Sequence, residues 1–188
     1  MGHAQQKPSI TEHDYLGGES LAPHRNEYVD GEIYAMTGGT ARHNRIALNI
    51  AIRLDASARD SGCEVFIADM KVKVDAHRAF YYPDVMLACP HPGDDHPLYR
   101  SQPCLIVEVL SPSTAQIDAR EKWLHYRDIP ALRYYLLVDS ERRDARIFIR
   151  AADGWLEQSL DNEDIVAIKC GALDTTLCLD DFYTRTGL

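Results

Sequence analysis

Two apolar runs that each carry one acidic residue constrain this sequence more than any other feature. The first run spans residues 81–88 and contains Asp84, and the second spans residues 105–110 and contains Glu108. Continuous apolar runs of this length are typical of strands that are buried on both faces. A carboxylate in such a strand costs free energy unless a cation pairs with it. If adjacent strands bring the two carboxylates together, they form a hard-oxygen site suited to Mg²⁺ or Mn²⁺, which favours an enzyme.

A purely structural interpretation competes with this one. An acid in an apolar run can lie at the end of its strand and face water, or it can cap the next helix. For a single acid we would favour that interpretation, but a pair followed at once by a helix start at Ser113 or Thr114 favours a functional site. Strand alternation places Glu108 on the same face as Ile106 and Leu110. The Pro-rich loop at 90–103 can return the chain so that the Asp84 and Glu108 strands lie side by side.

Bulk composition bounds the class of protein. The 188 residues suffice for one domain with a real core, so we expect a single domain over 1–188 with residues 1–9 as a flexible tail. No run is long and apolar enough to cross a membrane and the N-terminus has no signal-peptide core, which predicts a cytoplasmic protein with no membrane partner. The net charge of −9 argues against a protein that coats DNA, though not against an enzyme with a basic cleft.

The cysteines and the order of elements complete the prediction. The five cysteines include no C-x-x-C pair, and because Cys63, Cys89 and Cys104 lie in or beside apolar strands, we expect buried free thiols. The periodicity predicts a helix, mixed strands, a second helix and further strands, which is typical of one α/β or α+β domain.

These motifs resemble a known family. Pro83-Asp84 followed by Glu108-x-Leu110 resembles the PD-(D/E)xK nuclease core, and several longer stretches resemble the Uma2 family (DUF820) of endonucleases. These stretches are Asp30-Gly31-Glu32-Ile33, Gly38-Gly39 leading to His43, Tyr82-Pro83-Asp84-Val85, Val107-Glu108-Val109-Leu110-Ser111-Pro112-Ser113-Thr114, Asp118 with Lys122 and Tyr126, and Tyr135-Leu136-Leu137-Val138. The resemblance implies a restriction-endonuclease-like fold, a mixed sheet flanked by helices, and a DNA endonuclease that uses Mg²⁺ or Mn²⁺. It also implies Asp84, Glu108 and the backbone carbonyl of Val109 as metal ligands.

One departure from the wider superfamily concerns the catalytic lysine. The position expected to carry it is Leu110, and leucine cannot orient water. Lys122 is our candidate for a migrated lysine, and Asp118 shares its helix face at i and i+4. By itself, this i, i+4 pair indicates an ordinary surface ion pair worth about 0.3 kcal/mol. Only the resemblance favours a functional role for Lys122.

The sequence contains weaker candidates for site residues besides Asp84, Glu108 and Lys122. The resemblance suggests Glu27 as an additional metal ligand and leaves His43 either contacting a phosphate or serving as a capping or packing residue. Asp69-Met70-Lys71 is a local D-x-K look-alike that we interpret as alternating charge on a solvated strand.

Three functions fit the sequence. The leading one is a metal-dependent DNA endonuclease, for which we expect a homodimer because cutting both strands commonly uses two sites. The second is a non-catalytic member of the fold that binds nucleic acid or protein, favoured by the acidic charge and the missing lysine at position 110. The third is a hydrolase of smaller phosphoesters.

Overall fold

The computed structural model describes residues 9–36, 38–112 and 117–188, with no side chain described for residues 117–119. It confirms an α+β fold in which mixed sheets are flanked by helices. The helices are α1 Glu12–Glu19, α2 Ala41–Ala58, α3 Trp123–Tyr126 and α4 Leu179–Tyr183, with a 3₁₀ turn at Asp75–His77 and a π-helical turn at Ile117–Lys122. The strands are β1 Asn26–Val29, β2 Glu32–Ala35, β3 Glu64–Ile67, β4 Lys71–Val74, β5 Ala79–Tyr81, β6 Val85–Ala88, β7 Tyr99–Arg100, β8 Pro103–Leu110, β9 Tyr134–Asp139, β10 Ala145–Ala151, β11 Gly154–Leu160, β12 Val166–Cys170 and β13 Leu173–Leu177.

The six-stranded sheet, in the order β11-β10-β9-β8-β6-β3, forms the centre of the core. Its pairs are antiparallel except β8 with β9, which run parallel. Residues of α2, α4 and the β12-β13 hairpin cover one face, and Trp123 and Tyr126 of α3 cover the other. Because both faces are covered, β8 is buried along nearly its whole length, as its apolar sequence predicts.

The five-stranded sheet, in the order β2-β1-β5-β4-β7, carries the N-terminal hairpin. The hairpin turns at Asp30 and Gly31, which have φ of 45° and 95°, as a two-residue turn of this kind requires. Helix α1 begins after Thr11, whose side chain accepts a hydrogen bond from the Asp14 backbone, and buries Tyr15 against this sheet.

Two of the chain's crossings between the two sheets lie at one place. After β3 it leaves the six-stranded sheet for β4, and after β5 it returns to β6. The Ala68 N–H of the first crossing donates to the Asp84 carbonyl oxygen of the second at 3.2 Å. The prediction of one continuous strand over 81–88 was therefore wrong. Pro83 has no N–H to give to a ladder, so the run breaks there and Asp84 lies just before β6.

The cysteines correct a second expectation. Cys63 is joined to Cys89, and Cys104 to Cys170, in two disulfides, whereas Cys178 is a free thiol. Strand pairing and the fold of the β12-β13 hairpin bring residues far apart in sequence within bonding distance, and no local spacing reveals this. The prediction of free thiols was wrong for Cys63, Cys89 and Cys104.

Two further predictions concern membrane helices and two segments near the limits of the described residues. Within the described ranges, no helix is long and apolar enough to cross a membrane. The predicted tail at 1–9 and the predicted helix start at Ser113 or Thr114 lie almost entirely outside the described residues.

Candidate active site

A cleft of about 680 Å³ opens where the two sheets meet. We call it the central cleft. Its walls are the end of α1 and the loop after it, the segment between β2 and α2, the first turns of α2 and the crossing after β3. Asp84, Glu108 and Lys122 are all in its lining, together with His43 and Tyr82. The residues predicted from sequence to act together thus lie around one cavity.

Strand register sets Asp84 beside Glu108. In the antiparallel pair of β6 and β8, Val85 stands opposite Val107, so the next position outward places Asp84 across from Glu108. Asp84 Oδ2 accepts a hydrogen bond from the Val109 N–H at 2.7 Å. Strand β6 begins at Val85, one residue after Asp84. The Asp84 carboxylate therefore accepts a hydrogen bond from the Val109 N–H, which the backbone of a longer β6 would otherwise have accepted. This hydrogen bond fixes the Asp84 carboxylate at the edge of β8.

Glu108 is buried, with only 2% of its surface exposed. Its Oε1 accepts a hydrogen bond from the Tyr126 hydroxyl at 2.9 Å and lies 3.4 Å from Lys122 Nζ. Burial, and next the charge of Glu108, raises the pKa of Tyr126 well above its usual range, so the hydroxyl stays protonated and donates. Two donors from the segment after β8 therefore hold one oxygen of this buried carboxylate.

Lys122 reaches the cleft from the π-helical turn. It is 6% exposed, and its Nζ lies 2.8 Å from Glu27 Oε1, closer than it lies to Glu108. Its neighbour Trp123 points elsewhere and stacks on Tyr135, because adjacent residues of a helix diverge. The ammonium faces the buried acids and not bulk solvent, which is the geometry that the migrated-lysine hypothesis requires.

Glu27, which the resemblance suggests as an additional metal ligand, lies beside Lys122. Its Oε1 accepts from the Tyr82 backbone N–H at 3.2 Å and contacts the Lys122 ammonium. Strand β1 supplies this residue from the five-stranded sheet, whereas Glu108 comes from the six-stranded sheet. Lys122 therefore bridges acids from the two sheets.

His43 lies at the first turn of α2 and contacts Asp84. Its backbone N–H donates to the Thr40 side chain, which caps the helix, and its Nε2 lies 3.3 Å from Asp84 Oδ2. A Cβ at Gly39 would lie 2.8 Å from His43 Nδ1, so the imidazole packs directly on the glycine. The ring is thus held against the cleft carboxylate, while the backbone of His43 takes part in capping.

The remaining predicted positions are less informative. Leu110 packs with the core cluster that contains Met86 and Ile106, and so it occupies none of the cleft. Asp118 lies in the π-helical turn, but its side chain is outside the described residues, so its predicted pairing with Lys122 is not tested.

The donor set fits a hydrated Mg²⁺ or Mn²⁺. Mg²⁺ usually binds one or two carboxylates and keeps several waters, which Asp84 and Glu108 can satisfy together. Among the described residues no three His, Cys, Asp or Glu side chains are grouped as a metal site. An ion held by Asp84 and Glu108 alone would keep much of its water.

Lys71 is a buried residue that we predicted to be exposed. It is only 6% exposed, its ammonium lies 5.0 Å from the centre of the Tyr82 ring, and burial lowers its pKa from the usual 10.5. We had assigned it to a solvated strand face. That interpretation was wrong because α1 and aromatic residues cover the second face of this sheet, and strand alternation alone shows which residues share a face but not what lies above it.

Comparisons with known proteins agree with this architecture. The profile of the Uma2 family, described as "Putative restriction endonuclease", matches residues 14–177. An uncharacterized protein of Synechocystis is 36% identical over 132 residues, covering 69% of this chain and 75% of that protein. A second uncharacterized Synechocystis protein is 31% identical over 177 residues, covering 94% and 92%.

A solved structure shares the fold. The crystal structure of a "putative nuclease belonging to DUF820" from Anabaena variabilis superimposes with a TM-score of 0.72 at 15% identity, covering 94% of this chain and 99% of that one. At this identity the likeness concerns the fold alone. The family profile, by contrast, spans most of the sequence and includes every cleft residue described above. The chain therefore belongs to the Uma2 family of restriction-endonuclease-like proteins.

Proposed function

We propose that this protein is an endonuclease that uses Mg²⁺ or Mn²⁺ to hydrolyse phosphodiester bonds in DNA at the central cleft. One observation carries the proposal: Asp84, just before β6, and Glu108 of β8 both line the cleft, beside the buried Lys122 of the following helical turn. A structural ion pair has no need of a third acid and a histidine at the same place. The family description supports nuclease chemistry in particular.

Each of these residues would have a distinct role in such a reaction. Asp84 and Glu108 would hold the ion, with the Val109 carbonyl as a further predicted ligand. The bound ion would activate a water molecule and polarise the phosphate. The Lys122 ammonium would orient that water or balance the charge that develops on the phosphate. Tyr126 keeps one Glu108 oxygen hydrogen-bonded.

In this proposal Glu27 is a positioning residue for Lys122 and not a metal ligand. Lys122 Nζ lies 2.8 Å from Glu27 and 3.4 Å from Glu108, so Glu27 is its closer partner. Replacement of Glu27 by glutamine should leave Mn²⁺ affinity within about twofold of wild type and lower the cleavage rate by roughly ten- to a hundredfold, as expected for a displaced catalytic group. A matched loss of Mn²⁺ affinity would instead make Glu27 a ligand.

Cleavage assays test the function itself. Purified protein should cut DNA weakly, because an acidic chain offers few cations to neutralise phosphates. Activity should be lost on chelation and should fall as the salt concentration rises, because salt weakens the phosphate contacts that do form. Plasmid, single-stranded DNA and a small phosphodiester should be compared with Mg²⁺ and Mn²⁺. The matched variants are Asp84→Asn and Glu108→Gln, with the exposed Asp174→Asn as control.

The outcomes separate the candidate functions. Cleavage of DNA that both cleft variants lose and the control keeps supports the proposal. Cleavage of the small ester alone would identify a hydrolase of smaller phosphoesters. Intact substrates under every metal and salt condition would leave a binding module as the function.

Assembly and location remain predictions of this proposal. A homodimer would place two clefts on one duplex, and sedimentation at several protein concentrations measures it. The cytoplasmic location, which we retain, makes the two disulfides unusual, because cytosolic disulfides are uncommon and those present usually take part in redox chemistry.

A further inference from the structure

The two disulfides differ in their access to solvent. Cys63, Cys104 and Cys170 are buried, at 7%, 7% and 0% exposed, whereas Cys89 is partly exposed. Cys89 also lines a surface hollow of about 620 Å³, which we call the Cys89 hollow. Its other walls come from the loop after β6, the residues at the start of β3 and Arg100. Of the four bonded cysteines, Cys89 is thus the one that is partly open to a small solute.

The packing around the Cys63–Cys89 bond leaves one side open. The ladder of β3 and β6 pairs Glu64 with Ala88, so the bond lies just beyond the end of this ladder. The carbonyl oxygen of Cys170 lies 3.5 Å from Cys63 Sγ and 3.4 Å from Cys89 Sγ. The turn of the β12-β13 hairpin therefore covers one side of the bond, and the hollow exposes the Cys89 end.

From this geometry we infer that Cys89 is a thiol–disulfide exchange site for low-molecular-weight thiols such as glutathione. The attacking thiolate forms a bond to Cys89 Sγ while the bond from Cys89 to Cys63 breaks. Cys63 leaves as a thiolate and takes a proton from water. A second thiol can then attack the mixed disulfide, releasing the oxidised small disulfide and leaving both cysteines reduced, so that two thiols supply the two electrons.

Attack at Cys89 follows from where the sulfurs lie. Exchange requires the thiolate to approach the sulfur that it bonds, so rates depend on access to that sulfur. Cys63, Cys104 and Cys170 belong to the core cluster on one face of the six-stranded sheet, whereas Cys89 packs against it and is only partly buried. Reduction of the Cys104–Cys170 bond therefore requires more local opening of that core than attack at Cys89.

The exchange has a consequence for the sheet. β3 is an edge strand that pairs with β6, and the Cys63–Cys89 bond links the two where the ladder begins. Opening the bond removes that link, so amides of Glu64–Ile67 should exchange faster with solvent. Ile67, at the other end of β3, lines the central cleft.

Mass mapping of the full-length oxidised protein tests the inference. The protein is incubated anaerobically with reduced glutathione, its remaining thiols are alkylated, and its peptides are analysed. We expect glutathione on Cys89, alkylation of Cys63 and an intact Cys104–Cys170 bond, with the first bond opening at least about tenfold faster. Cys178, which is already a free thiol, should be alkylated throughout and serves as an internal control.

A matched pair of variants identifies the attacked sulfur. Cys63→Ser leaves Cys89 as a thiol in the hollow, and Cys89→Ser leaves Cys63 as a buried thiol. Oxidised glutathione should modify the first variant at least about tenfold faster than the second. Equal rates, an adduct that appears first on Cys104 or Cys170, or four free thiols in protein purified without reductant would overturn the inference.

Discussion

Replacement of Lys122 by methionine separates the electrostatic role of this residue from its proposed role in cleavage. The ammonium is buried between Glu27 at 2.8 Å and Glu108 at 3.4 Å, and the side chains of these acids are 13% and 3% exposed. Methionine preserves much of the volume and removes the charge. Loss of one partner from a buried ionic group costs about 3–5 kcal/mol, because the remaining charges stay buried without compensation.

That cost should be visible in thermal unfolding without metal. For a chain of this size about 1 kcal/mol shifts Tm by roughly 2–4 °C, so the expected drop is roughly 6–20 °C. Lys169→Met is the matched control, since Lys169 pairs with Asp174 at 3.2 Å while both side chains are 65% exposed. An exposed pair contributes at most about 1 kcal/mol, so the control should lose little.

Added Mn²⁺ should then raise the Tm of Lys122→Met more than that of wild type. A divalent ion can supply the positive charge that the acids have lost, and at about 100 times its Kd it adds about 2.7 kcal/mol. Cleavage should stay absent even at saturating Mn²⁺. A variant as stable as wild type without metal, or one that cuts DNA at the wild-type rate, would refute the reasoning.

Three further changes test other contacts of the fold. Tyr126→Phe removes the hydrogen bond to buried Glu108 and should lower the free energy of unfolding by about 1.5–3 kcal/mol, measured by urea denaturation. Gly39→Ala introduces a Cβ 2.8 Å from His43 Nδ1, so the ring should be displaced, and its ring-proton chemical shifts, read by NMR, should move although the fold persists. Burial, and next the charge of a stacked histidine, lowers the pKa of His125 below its usual 6.5. The folded state then binds fewer protons, so this residue's stabilisation is complete above about pH 6.5 and is lost as the pH falls below it. His125→Gln should flatten that part of the Tm–pH curve, and an unchanged slope would contradict the assignment.

Sequence reasoning located the acids because their surroundings are unusual. Asp84 and Glu108 each interrupt an apolar run, and burial makes such an interruption costly unless it has a partner. Lys122 carries no such local feature, since an acid and a lysine at i and i+4 are common on helix surfaces. Only the family resemblance indicated it, and its burial against Glu27 depends on how the π-helical turn packs.

Local sequence patterns could not predict other features of the structure, for physical reasons. Lys71 alternates with valines as on a solvated strand, yet its sheet is covered on both faces. The disulfides depend on which strands become neighbours, and Cys104 pairs with a residue 66 positions along the chain. The break at Pro83 was visible in the sequence, because a residue without an N–H is a poor member of a central ladder.

The double crossing at Ala68 and Asp84 has a consequence for the protein during its synthesis. Because the Ala68 N–H holds the Asp84 backbone where the sheets meet, the cleft exists only once both sheets have formed. Strand β1 of one sheet emerges from the ribosome long before β8 of the other, and Lys122 emerges later still. No shorter nascent segment contains a complete set of cleft groups. Under the proposed function, a nascent chain or fragment that lacks either sheet would therefore lack part of this set and would not cleave DNA.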